Sequence, residues 1–345
     1  MSGHIQNLPR HTFVTIGIIM NRFRLCLLYC CLACILPLAA HAKPTGEIIF
    51  SPSANFFGLW SGNVQDRQDA RSVFRQKLLI IELSIQKNDS YLIAVAERFV
   101  EDDLHLVIDA YLLNRKNWFI KEKNLTLGLF GEVLDAAISE KGDVVFTNRS
   151  FRIQVAVPRQ ASGIHLIPNS EIRKPIPQAK LLKEVEAHYI DWAPNGKEIA
   201  FDTADGIFLM DRLTLKISHI IKDGYRPVFS PDGKKLAFLT RTKPTRLSIL
   251  SLTNPQNLKH IADVSPLYFT WSPDGRYIVY TLAAPNLTRK NYAVPVAGGP
   301  PERILEMYDR GVRLFEWTHA AKSGAHAVEP TNKLTTLWGK LKRQN

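Results

Sequence analysis

In the second half of the chain, apolar and polar positions alternate in short runs rich in β-branched and aromatic residues, the pattern of half-buried strands. Three such runs are Lys197-Glu198-Ile199-Ala200-Phe201, Lys234-Lys235-Leu236-Ala237-Phe238 and Arg276-Tyr277-Ile278-Val279-Tyr280. Each follows a similar turn: Ala193-Pro194-Asn195-Gly196 after Trp192, Ser230-Pro231-Asp232-Gly233 after Phe229, and Ser272-Pro273-Asp274-Gly275 after Trp271. Pro at the second position and Gly at the fourth suit a type I turn, with Asp or Asn capping locally. The turn prolines stand 37 and 42 residues apart, a unit length that marks a propeller blade or a solenoid turn. No 3.6-residue period runs through the unit, which favours a β-propeller.

An aromatic residue, an S-P-D-G turn and a K-x-I-A-F run resemble the TolB-type, WD40-like β-propeller repeat. The rest of each unit is similar to that repeat: Asp205-Gly206 and Ile207-Phe208-Leu209-Met210-Asp211; Leu247-Ser248-Ile249-Leu250-Ser251-Leu252; and Tyr292-Ala293-Val294-Pro295-Val296, with Gly298-Gly299 and Arg303-Ile304-Leu305 after it. The resemblance covers 186–305, about a third of the chain. It implies an all-β ring that binds partners on its loops and around its central channel.

Upstream, similar strand pairs are Val144-Val145-Phe146-Thr147 with Phe151–Val157, after a degenerate turn at Ser139-Glu140-Lys141-Gly142, and Tyr91–Ala96 with Leu104–Ala110. Gly46-Glu47-Ile48-Ile49-Phe50-Ser51 reads as a second strand with no first strand before it. Counting 47–62, 91–113, 144–157, 198–211, 235–252 and 277–296 predicts six blades. At the other end, Val312–Trp317 reads as an orphan first strand, with Trp317 in the phase of Trp192 and Trp271. A ring must leave no open edge, so this strand is expected to pair with Glu47–Ser51 and close it. A rival reading, also suggested by the resemblance, is an α/β domain over 43–130 with a helix at Asp66–Ile81, followed by a shorter propeller.

The N-terminal part reads as an address. Asn21-Arg22-Phe23-Arg24 is a basic start, Leu25–Ala40 is an apolar run with cysteines, and Ala40-His41-Ala42 is an A-x-A cleavage signal, so 1–42 is expected to be a secretory signal peptide. Met20 offers a second start, which would make 1–19 an upstream extension. The alternative is a retained anchor, although the run is shorter than the ~20 residues of a spanning helix. The expected location is therefore periplasmic or secreted. All four cysteines (Cys26, Cys30, Cys31, Cys34) fall in that segment, which leaves 43–345 without disulfides or thiol chemistry. The chain has 44 basic and 32 acidic residues, and only Arg10, Arg22 and Arg24 lie in the first 42, so the remainder carries +9. For an exported protein this balance suggests an acidic partner, an anionic polymer or an anionic surface rather than nucleic acid.

Candidate chemistry is sparse. No G-x-S-x-G elbow is present, which excludes the serine peptidases that some propellers precede. His105, His165, His188, His219, His260, His319 and His326 are scattered, apart from the closer pair 319 and 326, and read as surface or strand-end residues. Asp232 and Asp274 lack the spacing of a calcium loop and read as turn caps. Glu101-Asp102-Asp103 reads as a solvated loop rather than a glycosidase pair. No cofactor or metal site is expected. The residues singled out are the repeat positions Trp192, Pro194, Gly196, Phe229, Pro231, Asp232, Gly233, Trp271, Pro273, Asp274, Gly275 and Trp317.

Beyond 317, a Gly/Ala/Ser linker leads to a short basic amphipathic helix with Leu334, Leu337, Trp338 and Leu341 on one face, a candidate partner-binding or surface-binding tail. The expected protein is an exported, non-catalytic, monomeric propeller that binds a protein or an anionic polymer. The competing reading is a glycosidase or lyase on the same scaffold. An acidic or His-lined central pocket would favour the enzyme, and a channel lined by turn residues and carbonyls would favour binding.

Overall fold

The computed structural model describes residues 46–51, 58–64, 71–74, 78–88, 90–100, 105–117, 122–150, 160–285, 288–305, 312 and 314–318. The leader, Glu101-Asp102-Asp103, Phe151–Val157 and the tail lie outside these residues. Among the described residues no helix is long and apolar enough to cross a membrane.

The chain is built from antiparallel sheets joined in sequence order. The first holds β1 (Glu47–Ser51), β2 (Leu59–Asn63) and β3 (Arg71–Phe74). Next come β4 (Leu79–Ile85), β5 (Tyr91–Val100), β6 (His105–Asn114) and the short β7 (Lys123–Asn124), then β8 (Glu132–Ile138), β9 (Val144–Arg149), β10 (Gly163–Ile167) and β11 (Lys180–Glu184). These two groups make one eight-stranded sheet, yet the only register between β6 and β8 is the single parallel pair Ile108↔Glu132. A one-turn helix, α1 (Asn169–Ile172), leads into β11.

Three four-stranded sheets follow, one for each clear repeat. They are β12 (Ile190–Trp192) to β15 (Ile217–Lys222) through β13 (Glu198–Thr203) and β14 (Gly206–Asp211); β16 (Gly224–Phe229) to β19 (Leu258–Ala262) through β17 (Lys235–Thr240) and β18 (Leu247–Ser251); and β20 (Tyr268–Trp271) to β23 (Glu302–Ile304) through β21 (Tyr277–Ala283) and β22 (Arg289–Pro295). The last strand, β24 (Leu314–Trp317), returns to the first sheet. It pairs antiparallel with β1 at Ile48↔Trp317, Ile49↔Glu316, Phe50↔Phe315 and Ser51↔Leu314, the pairing expected from the phase of the repeats.

The repeat turns explain the spacing of their residues. Gly196, Gly233 and Gly275 sit at φ 67°, 70° and 67°, left-handed values that suit glycine. Their N–H groups donate to the Ala193, Ser230 and Ser272 carbonyls at 2.8 Å. The Ser230 hydroxyl donates to Asp232 at 2.6 Å and accepts from the Lys235 N–H at 2.9 Å, and Ser272, Asp274 and Tyr277 repeat the arrangement. The turns also nest: a Cβ on Gly233 would lie 3.3 Å from Pro194, and one on Gly275 3.8 Å from Pro231.

Apolar side chains fill the spaces between consecutive sheets. Trp192 packs with Ala137, Val145 and Ile164 of the preceding strands. Phe229 packs with Ala193, Ala200 and Ile207, and Trp271 with Ala237, Leu239 and Ile249. Trp317 and Ile48 pack with Tyr277, Val279 and Ala293. Ile49 and Leu59 meet Ile80, Leu83 and Leu92, and Ile93 and Val95 meet Val133, Ala136 and Phe146. Trp192, Phe229, Trp271 and Trp317 are all buried.

Two sequence expectations fail. The helix at Asp66–Ile81, and with it the rival α/β reading of 43–130, is not formed over the described part of that stretch, which is strand at 71–74 and from 79. Residues 71–74 are β3, paired with β2, and β4 begins at Leu79. Ladder pairing overrides local helix propensity there. The partner expected for Val144–Thr147 was 151–157, but β9 pairs with β10, from Gly163↔Asn148 to Ile167↔Val144. Both segments alternate apolar residues, and periodicity cannot rank two partners.

Candidate functional site

The strands that open each group (β4, β8, β12, β16 and β20) and the returning β24 line a common cavity of about 140 Å³. Along these strands the side chains alternate. Where one residue enters the apolar space between sheets, its neighbour faces the cavity. The residue before each repeat aromatic therefore belongs to the cavity: Asp191 before Trp192, Val228 before Phe229, Thr270 before Trp271 and Glu316 before Trp317. Asp135 on β8 and Glu82 on β4 join them.

Arg226 is the main cation of this group. The β16–β17 register shifts between Tyr225 and Val228, and Arg226 takes φ +55°, a left-handed conformation that costs a non-glycine residue roughly 1–2 kcal/mol. Its Nη2 donates to Glu82 Oε1 at 2.9 Å and Oε2 at 2.8 Å, and its Nη1 donates to the Leu267 carbonyl at 2.9 Å. The guanidinium lies 4.6 Å from the Tyr189 ring centre and 5.0 Å from that of Tyr268. Burial pulls its pKa down, but Glu82 and the two tyrosines override this and hold it above the ordinary value.

The acids are bonded to the neighbouring strands. Asp135 accepts from the Ile190 N–H at 2.9 Å and the Ala136 N–H at 2.8 Å. Asp191 accepts from the Phe229 and Trp192 N–H groups, both at 2.8 Å. Glu316 accepts from the Tyr268 hydroxyl and, at 3.2 Å, from the Thr270 hydroxyl. Burial raises all three: Glu316 to about 8, with Asp191 and Glu82 adding to the rise; Asp191 to about 7; and Asp135 well above the carboxylate range, with Glu82 adding to burial. These side chains keep some accessible surface, yet they sit deep in the protein and what they face is the cavity.

Of the repeat residues, Trp192, Pro194, Phe229, Pro231, Trp271 and Trp317 border the cavity, while Gly196, Asp232, Gly233, Pro273, Asp274 and Gly275 stay in the turns outside its lining. Leu334, Leu337, Trp338 and Leu341 lie outside the described residues. The lining mixes the two types set against each other above: turn residues, and an acidic group that the repeat motif does not announce. Among the described residues no group of three or more His, Cys, Asp or Glu could hold a metal ion. His165, expected at a surface or strand end, is instead buried on β10, stacked on Phe146 at 5.1 Å and edge-on to Phe130 at 5.0 Å. Burial lowers its pKa.

No protein-family model and no curated protein matches the chain. Among solved structures, TolB from Acinetobacter baumannii superposes with a TM-score of 0.54 at 16% identity, over 75% of this chain and 66% of that one. The chain thus spans just under two thirds of that TolB. A protein of Agrobacterium tumefaciens assigned as TolB gives 0.53 at 17% identity, over 76% of this chain and 88% of that one. A Bacteroides uniformis protein assigned as a 6-phosphogluconolactonase gives 0.49 at 13% identity, over 80% of this chain and all of that one. The fold is that of a TolB-like β-propeller.

Proposed function

We propose that the chain is an exported, non-catalytic TolB-like propeller of six blades that serves as a binding scaffold for a protein or an anionic polymer. One observation carries the non-catalytic part. Four of the cavity carboxylates are engaged by other strands: Asp135 by Ile190, Asp191 by Phe229 and Glu316 by Tyr268 on neighbouring strands, and Glu82 of β4 by Arg226 of β16, while the exposed Glu140 borders the same cavity. An acid or base in turnover needs a free lone pair or proton facing substrate. These acids act as staples. Six blades are supported by the six apolar clusters among the described residues, each set between consecutive groups of strands, with the last group meeting the first through Trp317 and Ile48. Export rests on the 1–42 pattern, and an anionic partner on the +9 charge of the remainder. The Leu334, Leu337, Trp338 and Leu341 face is a second contact in this reading, and its basic flank makes such binding salt-sensitive.

The purified 43–345 chain is expected to leave sugar lactones, polygalacturonate and aryl glycosides unchanged. Turnover of any of these that disappears in Glu316→Gln or Asp191→Asn while the variant stays folded would establish the enzyme reading instead.

A further inference from the structure

Antiparallel strands run up and down, so the turn between the first and second strands of a group and the turn between its third and fourth leave from one rim. The remaining connections leave from the opposite rim. Contacts between turns place those of several groups on the same rim. The 193–196, 230–233 and 272–275 turns nest against one another. Asp143, after the β8–β9 turn, accepts from Arg212 Nη2 in the β14–β15 turn at 2.7 Å and from the Asn169 N–H ahead of β11 at 2.9 Å. Lys259, the second residue of β19, donates its Nζ to the Val296 and Ala297 carbonyls that follow β22, at 2.6 and 2.8 Å.

Three large apolar side chains face solvent on this rim, one in each of three successive groups. Ile176, between α1 and β11, is 57% exposed; Leu213, in the β14–β15 turn, 81%; and Leu258, at the head of β19, 59%. Basic residues flank them. Arg173 and Lys174 precede Ile176, and Lys216 follows Leu213. Lys141, Lys197 and Lys234 are exposed on the adjoining first-to-second-strand turns. The acids exposed on the same turns are Glu140 and Asp232, and Asp232 is held by Ser230. On the opposite rim of these groups, by contrast, Glu184, Glu186, Asp205 and Asp223 are exposed among the bases.

The chain also leaves the ring at this rim. β24 ends and β1 begins where a repeat turn stands in the other groups, with Ile48 opposite Trp317 and the Thr318 N–H donating to the Glu47 carbonyl at 3.1 Å. The basic stretch that carries Leu334, Leu337, Trp338 and Leu341 therefore follows on from here. A single exposed leucine calls for no explanation. A row of apolar tips set among lysines suits a bilayer surface, where the tips enter the headgroup–acyl boundary and the lysines meet lipid phosphates. A soluble polyanion would engage the lysines and leave the tips in water. We propose, building on the anionic partner inferred above, that this rim docks on an anionic lipid surface, with Ile176, Leu213 and Leu258 entering the interface and the lysines around them binding headgroup phosphates.

The 43–345 chain holds every described strand and no cysteine. A cysteine introduced by Leu213→Cys and labelled with an environment-sensitive fluorophore therefore reports on this rim alone. Leu106→Cys, at a position 56% exposed on the opposite rim, is its control. With vesicles of phosphatidylcholine and phosphatidylglycerol, the label at 213 should shift to the blue and the label at 106 should not. Vesicles of phosphatidylcholine alone should shift neither, and added salt should reverse the shift at 213. In flotation of the unlabelled chain, Lys197→Gln or Lys234→Gln should each lower vesicle partitioning about fivefold. Leu213→Ser should lower it about tenfold and leave binding to soluble polygalacturonate unchanged. All three side chains are exposed, so these variants keep the fold. Absence of binding to phosphatidylglycerol vesicles would overturn lipid docking. Polygalacturonate binding that persisted in that case would leave the anionic-polymer reading standing, and binding to neither would remove both. A shift at 106 in place of 213 would also overturn the docking, as would vesicle binding that is lost on removing 320–345 and indifferent to Leu213→Ser.

Discussion

At Trp271, packing and hydrogen bonding act through one side chain. The residue is 4% exposed, contributes to the apolar space between β17–β18 and β21, and donates its indole N–H to the Val228 carbonyl of β16 at 3.1 Å. Trp271→Ala should cost ~3–5 kcal/mol, as large-to-small core changes do, measured by urea denaturation. A loss below ~1 kcal/mol would show that the indole lies outside the core. Arg226 allows a second test. Glu82→Gln or Arg226→Met alone leaves one buried group uncompensated and should cost about 3–5 kcal/mol, whereas the double replacement Glu82→Leu, Arg226→Met should cost less than either. A strictly additive double variant would deny the coupling. The repeat aromatics were legible because their type recurs. The residue just before each was not, since that position holds Asp191, Val228, Thr270 and Glu316, a series that shares a direction but no chemistry. Arg226 was hidden for another reason. It reaches the cavity through a register shift and a left-handed φ, neither of which alternation can announce.

Among the elements, β24 was the most legible, because one missing first strand and one orphan last strand called for each other. Its loss has a stated consequence. Removing 312–317 takes away the ladder to β1, the Trp317 contribution to its core cluster and the Glu316 link to β20. Removing 320–345 touches none of these. The first truncation should lower the melting temperature well below that of the second, and equal values from scanning calorimetry would remove β24 from the fold's support. The elements that sequence reasoning missed lie upstream, where the turn signature decays. At 66–81 the rival reading drawn from the resemblance placed a helix, but strands need partners, and β2 supplies one for Arg71–Phe74. At 144–149 the partner was sought nearby, while pairing reached across to Gly163–Ile167.

For the molecule as a whole, composition conceals a division of charge. The chain is basic overall, yet its cavity collects Glu82, Asp135, Asp191 and Glu316 around Arg226. The resulting pH dependence runs opposite to ordinary acid denaturation. Burial, chiefly, raises Glu316 to about 8, Asp191 to about 7 and Asp202 to about 6, with Asp135 also raised. Between the ordinary carboxyl range and these values the folded protein binds more protons than the unfolded chain, so stability falls as pH rises. The contribution is fully present below about pH 4 and is lost step by step as pH climbs through about 6, 7 and 8. Asp232 and Asp274 act the other way. Despite burial, which raises them, their Ser230 and Ser272 hydroxyl donors and turn N–H groups hold them below the usual value, so their contribution is lost in acid. The melting temperature should therefore peak in mild acid, at about pH 5, and decline toward about pH 8.5. Asp191→Asn should flatten the part of that decline up to about pH 7, and Glu316→Gln the part that extends to about pH 8. Added salt should change little, because the groups are shielded from counter-ions. A melting temperature that rises from about pH 5 to about pH 8.5 would mean that the cavity acids are ionised in the folded protein at no cost, and that the ring tolerates the charge it encloses.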